Sequence, residues 1–199
     1  MILSEALRKS IHLSSLVIPF SYRYILGFNR RLGFLLLLVA FSISLVIEFH
    51  RLWQRSFRKT FNRIFGMILR RHEQHDFTGA TYLLFSAMVC VAFFDPLIAS
   101  CAMAFLSIGD TFAALVGMSF GKRKFIGMSK SLEGSLACFV TCFIFGLFWL
   151  KNPNWVYPVL ALGGALMATF AEVGKIPLDD NLKIPFSAGL VMTILSIII

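Results

Sequence analysis

Phe34-Leu35-Leu36-Leu37-Leu38-Val39 decides the fold of this chain. A transmembrane strand alternates apolar and polar residues, and this run does not alternate. It lies inside a longer apolar stretch from Leu32 to Ile47. In hydrocarbon each backbone N–H and C=O must find its partner within the segment, so such a stretch becomes a helix. The rest of the chain follows suit. Of its 199 residues 58% are hydrophobic and only 15% charged, well below the charge content of a soluble domain. Mean hydropathy is +0.80. The charges are clustered, leaving apolar stretches of about 18 residues, roughly the length that spans a bilayer as a helix.

These stretches predict seven spans: Ile11 to Gly27, Leu32 to Ile47, Phe77 to Phe94, Pro96 to Phe120, Leu132 to Leu150, Val156 to Val173, and Ile184 to Ile199. The first is weak, interrupted by Pro19 and Arg23. The expected fold is an all-α polytopic helix bundle, a single integral-membrane domain over 1–199. No cleavage site for a signal peptide follows the first apolar run. The four cysteines, Cys90, Cys101, Cys138 and Cys142, lie inside spans without a C-x-x-C pattern and read as packing residues.

Net charge is +9. The basic residues occupy short loops, where they orient the chain and meet anionic headgroups, so nucleic-acid binding is not the reading. Fifteen Lys and Arg fall on one side of the predicted topology, against Arg23, Arg30, Arg31 and Lys151 on the other. The richer side is expected to be cytoplasmic, in the plasma (inner) membrane of a prokaryote, with the N-terminus inside. Between the second and third spans, residues 49–76 are too polar to cross. Phe57, Phe61, Ile64, Phe65 and Ile68 follow a 3.6-residue period among arginines, which predicts an amphipathic helix on the inner leaflet. It serves as a surface anchor or as a basic platform for a polyphosphate.

Ionisable groups within spans are costly and therefore candidates for function. Asp110 is the first. Gly109, Ala113, Gly117 and Gly121 repeat every four residues beside it. Close helix packing accounts for that stripe, but not for the adjacent carboxylate. A surface without side chains also lets a metal-bound phosphate approach the backbone. The following segment carries Lys122, Arg123, Lys130, Ser131, Glu133 and Gly134 into the next span. Ser131 is a natural N-cap, and a helix N-terminus suits phosphate; a positive-inside loop before a capped helix explains the segment equally. Glu172, Asp179, Asp180 and Asn181 fall on the same membrane face as Lys130 and Glu133. Carboxylates from separate segments meeting a basic loop at one face suit a Mg²⁺–nucleotide site. His72-Glu73-Gln74-His75 lacks the spacing of a zinc helix. His12 reads as an interfacial polar residue, and Glu48 with Arg51 as a helix-surface ion pair.

Taken in order, these residues resemble the polyprenol kinases: dolichol kinase, phytol kinase and CTP-dependent diacylglycerol kinase. The family pattern is matched by Gly109, Asp110, Ala113, Gly117, Phe120, Gly121, Lys130, Glu133 and Gly134, then by Thr169 with Glu172 and Asp180 with Asn181. His12 behind Arg8 and Lys9, Glu48 with Arg51, and Glu73 after Arg70 are similar to its N-terminal elements. The resemblance covers essentially the whole chain, more loosely before Phe77. It implies a membrane kinase that uses CTP and Mg²⁺ to phosphorylate a lipid alcohol drawn from the bilayer. In that reading Asp110 and Asp180 hold the metal, and Lys130, helped by Lys122 and Arg123, neutralises the phosphates. Gly109, Gly117, Gly121, Ser131, Gly134 and Asn181 line the nucleotide, and Glu133 or Glu172 takes the hydroxyl proton or completes the metal shell. A phosphatidate cytidylyltransferase is the alternative, although its acidic, glycine-rich C-terminal block is missing. A small transporter, with Asp110 and Glu172 coupling ions, lacks the inverted repeat it would need.

Overall fold

The computed structural model describes residues 2–70, 72–125, 130–151 and 154–199. Helices dominate. Five are long and apolar enough to cross a bilayer: α3 (Arg30–Trp53), α6 (Pro96–Phe120), α7 (Leu132–Trp149), α8 (Val156–Val173) and α9 (Asp180–Ile198). A shorter apolar helix, α5 (Gly79–Phe93), precedes α6. The chain is a multi-pass membrane protein.

The expected first span takes a different form. Helix begins earlier, as α1 (Ile2–Ser14), resumes as α2 (Val17–Phe20), and ends in a π-helical turn, Ser21–Ile25. Two features break it. The Ser14 and Ser15 hydroxyls turn back onto the Ile11 and His12 carbonyls, each at 2.6 Å, and Pro19 has no N–H with which to continue the ladder. The amphipathic segment is also shorter than 49–76. The third helix continues to Trp53, Gln54 is extended, and only α4 (Arg55–Phe65) has the predicted two-faced character. Arg58 folds back to donate to the Arg51 and Leu52 carbonyls, which closes the end of α3. Past α4 the chain turns through a 3₁₀ segment, His72–Gln74.

At the centre is α6, buried on every side from Ile98 to Thr111. Its seam with α7 is a close approach. A Cβ on Gly109 would meet the Cys142 and Cys138 sulfurs at 2.8 and 2.9 Å, and one on Gly134 would strike the Ala113 carbonyl at 2.6 Å. All four cysteines are buried and unbridged. The end of the bundle that carries Trp149 is tied by its arginines: Arg23 donates to the Trp149 carbonyl at 2.5 Å and Arg30 to the Phe94 carbonyl at 2.8 Å. There Asp95 caps α6 through the Leu97 N–H, ahead of Pro96. The opposite end collects the remaining polar groups.

Candidate active site

Asp110 lies on α6, roughly 15 Å along the axis from its C-terminal end at a rise of about 1.5 Å per residue. Its partners come from α1. Lys9 Nζ reaches Asp110 Oδ2 at 2.5 Å and the Asp110 carbonyl at 3.2 Å. His12 Nε2, one helical turn on, lies 3.4 Å from the same carboxylate oxygen. Lys9 is only 4% exposed, so a full charge pair is held within the bundle. Such a pair is stable only with good geometry, because the desolvation cost of each ion is large. In the sequence Lys9 counts among the orienting charges and precedes His12 in the N-terminal element of the resemblance, but it is not one of the expected site residues. The signal was its position, three residues before His12 on the same helix face.

A second cluster joins the ends of α8 and α9 to the loop before α7. Lys130 Nζ pairs with Glu172 Oε1 at 3.0 Å and Asp180 Oδ2 at 3.5 Å, and also donates to the Glu172 carbonyl. Burial works against this ammonium, but Asp180 and Glu172 outweigh it and raise its pKa above the ordinary lysine range. Lys183 holds the other Asp180 oxygen at 2.8 Å. Asp179 caps α9 through the Asn181 N–H and pairs with Arg70 at 3.3 Å.

The N-terminal candidates form a brace behind these groups. Glu48 Oε2 takes Arg51 Nε at 2.8 Å and a second bond from Arg51 Nη2. Glu48 Oε1 accepts from the Thr78 N–H at 3.0 Å and the Thr78 hydroxyl at 2.6 Å. Glu73 accepts from the Gly79 N–H at 2.9 Å and the Arg70 N–H at 2.6 Å. Two carboxylates thus fill the N-terminus of α5, where they meet the positive end of the helix dipole. Arg51 also donates to the Glu73 and Asp76 carbonyls at 2.7 and 2.5 Å. Gly79 is required here by space, since a Cβ would come 2.9 Å from Asn181 Nδ2. Glu48 and Arg51 are therefore more than a surface pair: they are fully engaged inside the fold.

The basic loop after α6 is a small hairpin. Lys124 and Ser131 pair antiparallel, with the Phe125 N–H on the Lys130 carbonyl and the Leu132 N–H on the Arg123 carbonyl. Residues 126–129 lie outside the described residues, as does Arg71. The hairpin aims Lys130 into the carboxylates and leaves Lys122 and Arg123 exposed. The Glu133 carboxylate, in the first turn of α7, accepts the Arg123 N–H, 3.2 Å from each oxygen, and so fastens the hairpin to that helix. Ser131 caps α7 through the Gly134 N–H at 3.2 Å. Gly109, Gly117, Gly121 and Gly134 all face side chains or backbone across the α6–α7 seam, with Ser131 Oγ 3.2 Å from a Cβ at Gly117 and 2.6 Å from one at Gly121. The stripe is filled by helix packing.

Asp110, Asp180, Asn181 and His12 share the wall of one cavity of about 540 Å³. Its outer walls are apolar, with Ile11 from α1, Val17 from α2, Phe61 and Phe65 from α4, and Leu83 and Leu84 from α5. Among the described residues, no three His, Cys, Asp or Glu side chains are gathered closely enough to chelate a metal. Glu172 Oε2 is nevertheless buried and without a hydrogen bond, beside Asp180 across Lys130. One or two carboxylates, with phosphates and waters completing the shell, is the usual protein share of a Mg²⁺–nucleotide site, so these residues fit that ion.

The chain is similar to CTP-dependent diacylglycerol kinase 1 of Saccharomyces cerevisiae, at 27% identity over 94% of this chain and 72% of the yeast protein. To the enzyme of the same name from Schizosaccharomyces pombe it is 30% identical, over 65% of this chain and 66% of that protein. A probable chloroplastic phytol kinase of Triticum aestivum is 30% identical over 59% of this chain and 44% of its own length. No family model matches the chain, and no solved structure does.

Proposed function

From the premise that this chain belongs to the polyprenol kinase family of lipid kinases, we propose that it transfers the γ-phosphate of CTP to the hydroxyl of a membrane lipid alcohol, at the cytoplasmic face of a prokaryotic plasma membrane. The alcohol is a polyprenol, a phytol-like isoprenoid or a diacylglycerol, and the whole of 1–199 acts as one kinase domain. The observation that carries this reading is the cavity: greasy walls lead to Asp110 and Asp180, and Lys130 pairs with that same Asp180 beside Glu172.

In this reading the hydroxyl oxygen bonds to the γ-phosphorus, the bridging P–O bond breaks, and CDP leaves. Glu172 and Asp180 are the pair that would hold Mg²⁺, which when bound offsets the negative charge of the triphosphate. Asp110 is less suited to the metal than sequence alone implied, because Lys9 takes its Oδ2. It is better placed as the acceptor of the hydroxyl proton, in place of Glu133. A weak base suffices, since phosphoryl transfer passes through a loose transition state in which positioning and charge dominate. Lys130 turns from the carboxylates to the β- and γ-phosphates, with Lys122 and Arg123 exposed at the rim to draw the nucleotide in. Asn181 lines the same cavity at the start of α9.

Sealed vesicles of the two orientations test this. Inside-out vesicles given external Mg²⁺–CTP and a lipid alcohol should form lipid phosphate, whereas right-side-out vesicles should form it only once permeabilised. Equal activity in both intact preparations would contradict the assigned face, and none in either after permeabilisation would contradict the kinase.

A further inference from the structure

His12 carries an unanswered hydrogen bond. Its Nε2 is buried and makes no hydrogen bond, although Asp110 Oδ2 lies 3.4 Å away. That oxygen is already held by Lys9 at 2.5 Å. A buried ring nitrogen without a partner is costly, so the site is built for a group that arrives from elsewhere. The cavity provides the route. His12 and Asp110 both face it, and the walls leading outward from them are Ile11, Val17, Phe61, Phe65, Leu83 and Leu84.

We propose that the His12–Asp110 pair is the docking point for the hydroxyl of the lipid substrate and selects a free alcohol over other lipid headgroups. The proposal rests on the lipid-alcohol kinase reading. A hydroxyl is both donor and acceptor. It accepts from Nε2–H while donating to the Asp110 carboxylate, or donates to Nε2 in the other tautomer. A headgroup without a hydroxyl does not satisfy both partners. A fatty acid or phosphatidate brings an anion against Asp110, an amine competes with Lys9, and an ether accepts but cannot donate. The chain behind the hydroxyl lies along the α1, α4 and α5 walls, which grip apolar surface without regard to its branching.

The test measures binding without nucleotide, so it does not depend on turnover. Purified protein in micelles is labelled with a photoreactive diacylglycerol, and dioleoylglycerol and phytol compete, each against its own methyl ether. The wild type should favour the alcohol about tenfold, the worth of one good buried hydrogen bond. His12→Ala should bind alcohol and ether alike. His12→Gln, whose amide reaches the position of Nε2, should restore the preference; His12→Asn, whose amide falls at Nδ1, should not. In turnover, His12→Asn should raise the KM for the lipid and leave the KM for CTP unchanged. A wild type that ignores the methyl group overturns the proposal, as does undiminished discrimination in His12→Asn. Discrimination lost as predicted, in a protein that moves no phosphate from CTP, leaves the docking point standing and overturns the kinase instead.

Discussion

Arg51→Met should destabilise the protein by about 3–5 kcal/mol, the usual consequence of removing one member of a buried charge pair. Arg51 has no solvent exposure. Its guanidinium holds Glu48 through two nitrogens, donates to the Glu73 and Asp76 carbonyls, and lies 5.5 Å from the Phe61 ring centroid. Methionine fills much of the volume but supplies no donors. Glu48 keeps its bonds to Thr78 yet loses its countercharge, and two carbonyls lose their partner. Equilibrium unfolding in mixed micelles, followed by helix content, gives the size of the loss. The double variant Glu48→Gln/Arg51→Met removes both charges, so its loss should fall short of the summed single losses by roughly 0.5–3 kcal/mol. Because the same guanidinium ties down the arm that carries Arg70 and Glu73 to the cavity, the KM for lipid should also rise in Arg51→Met. Parental stability in that variant, or strict additivity in the double, would refute the reasoning.

Lys130→Met should lower turnover at least ~10²-fold, as the loss of one preorganised charge at a phosphoryl site does; near-normal turnover would remove Lys130 from its role. Its pKa is raised in the folded protein above the ordinary 10.5, so its ion pairs contribute fully below that pH and are lost as pH climbs through the folded value. The stability gap between wild type and Lys130→Met should therefore be flat from neutral to about pH 10, where that pKa leaves the ammonium charged, and close only above it. Gly134→Val should lower the melting temperature and expression, because its side chain would force α7 off the Ala113 carbonyl; a stable variant would show that the seam yields. Reporters fused after Arg63 and Lys124 should appear cytoplasmic and one after Asn154 outside, as read by cysteine labelling; Lys124 outside would separate the hairpin from CTP.

The long helices were legible because hydropathy is a local property: α3 and α6 to α9 begin and end within a few residues of the apolar runs that announced them, apart from the added turns at the end of α3 and the start of α9. Asp110 was legible because a carboxylate in hydrocarbon demands an explanation. Pairing was not. Nothing local in Lys9 says that it meets Asp110, 101 residues away, and nothing local in Glu133 says that its carboxylate turns to the Arg123 N–H. The glycine stripe had two readings until α7 was found against it. The break was half legible: Pro19 announced an interruption, but its place at Ser14–Ser15 is set by hydroxyl–carbonyl bonds that the sequence does not show.

Which phosphorus of CTP is attacked tests the central claim most directly. A kinase and a cytidylyltransferase both need a cytoplasmic Mg²⁺–CTP site, so nucleotide binding or metal dependence does not separate them. Purified protein should be given CTP labelled at either the α- or the γ-phosphate, with polyprenol, phytol, diacylglycerol and phosphatidate as acceptors. The account predicts that γ-label enters the lipid fraction with an alcohol as acceptor, while α-label stays in soluble CDP. Appearance of α-label in lipid, with phosphatidate as acceptor and pyrophosphate released, would contradict it.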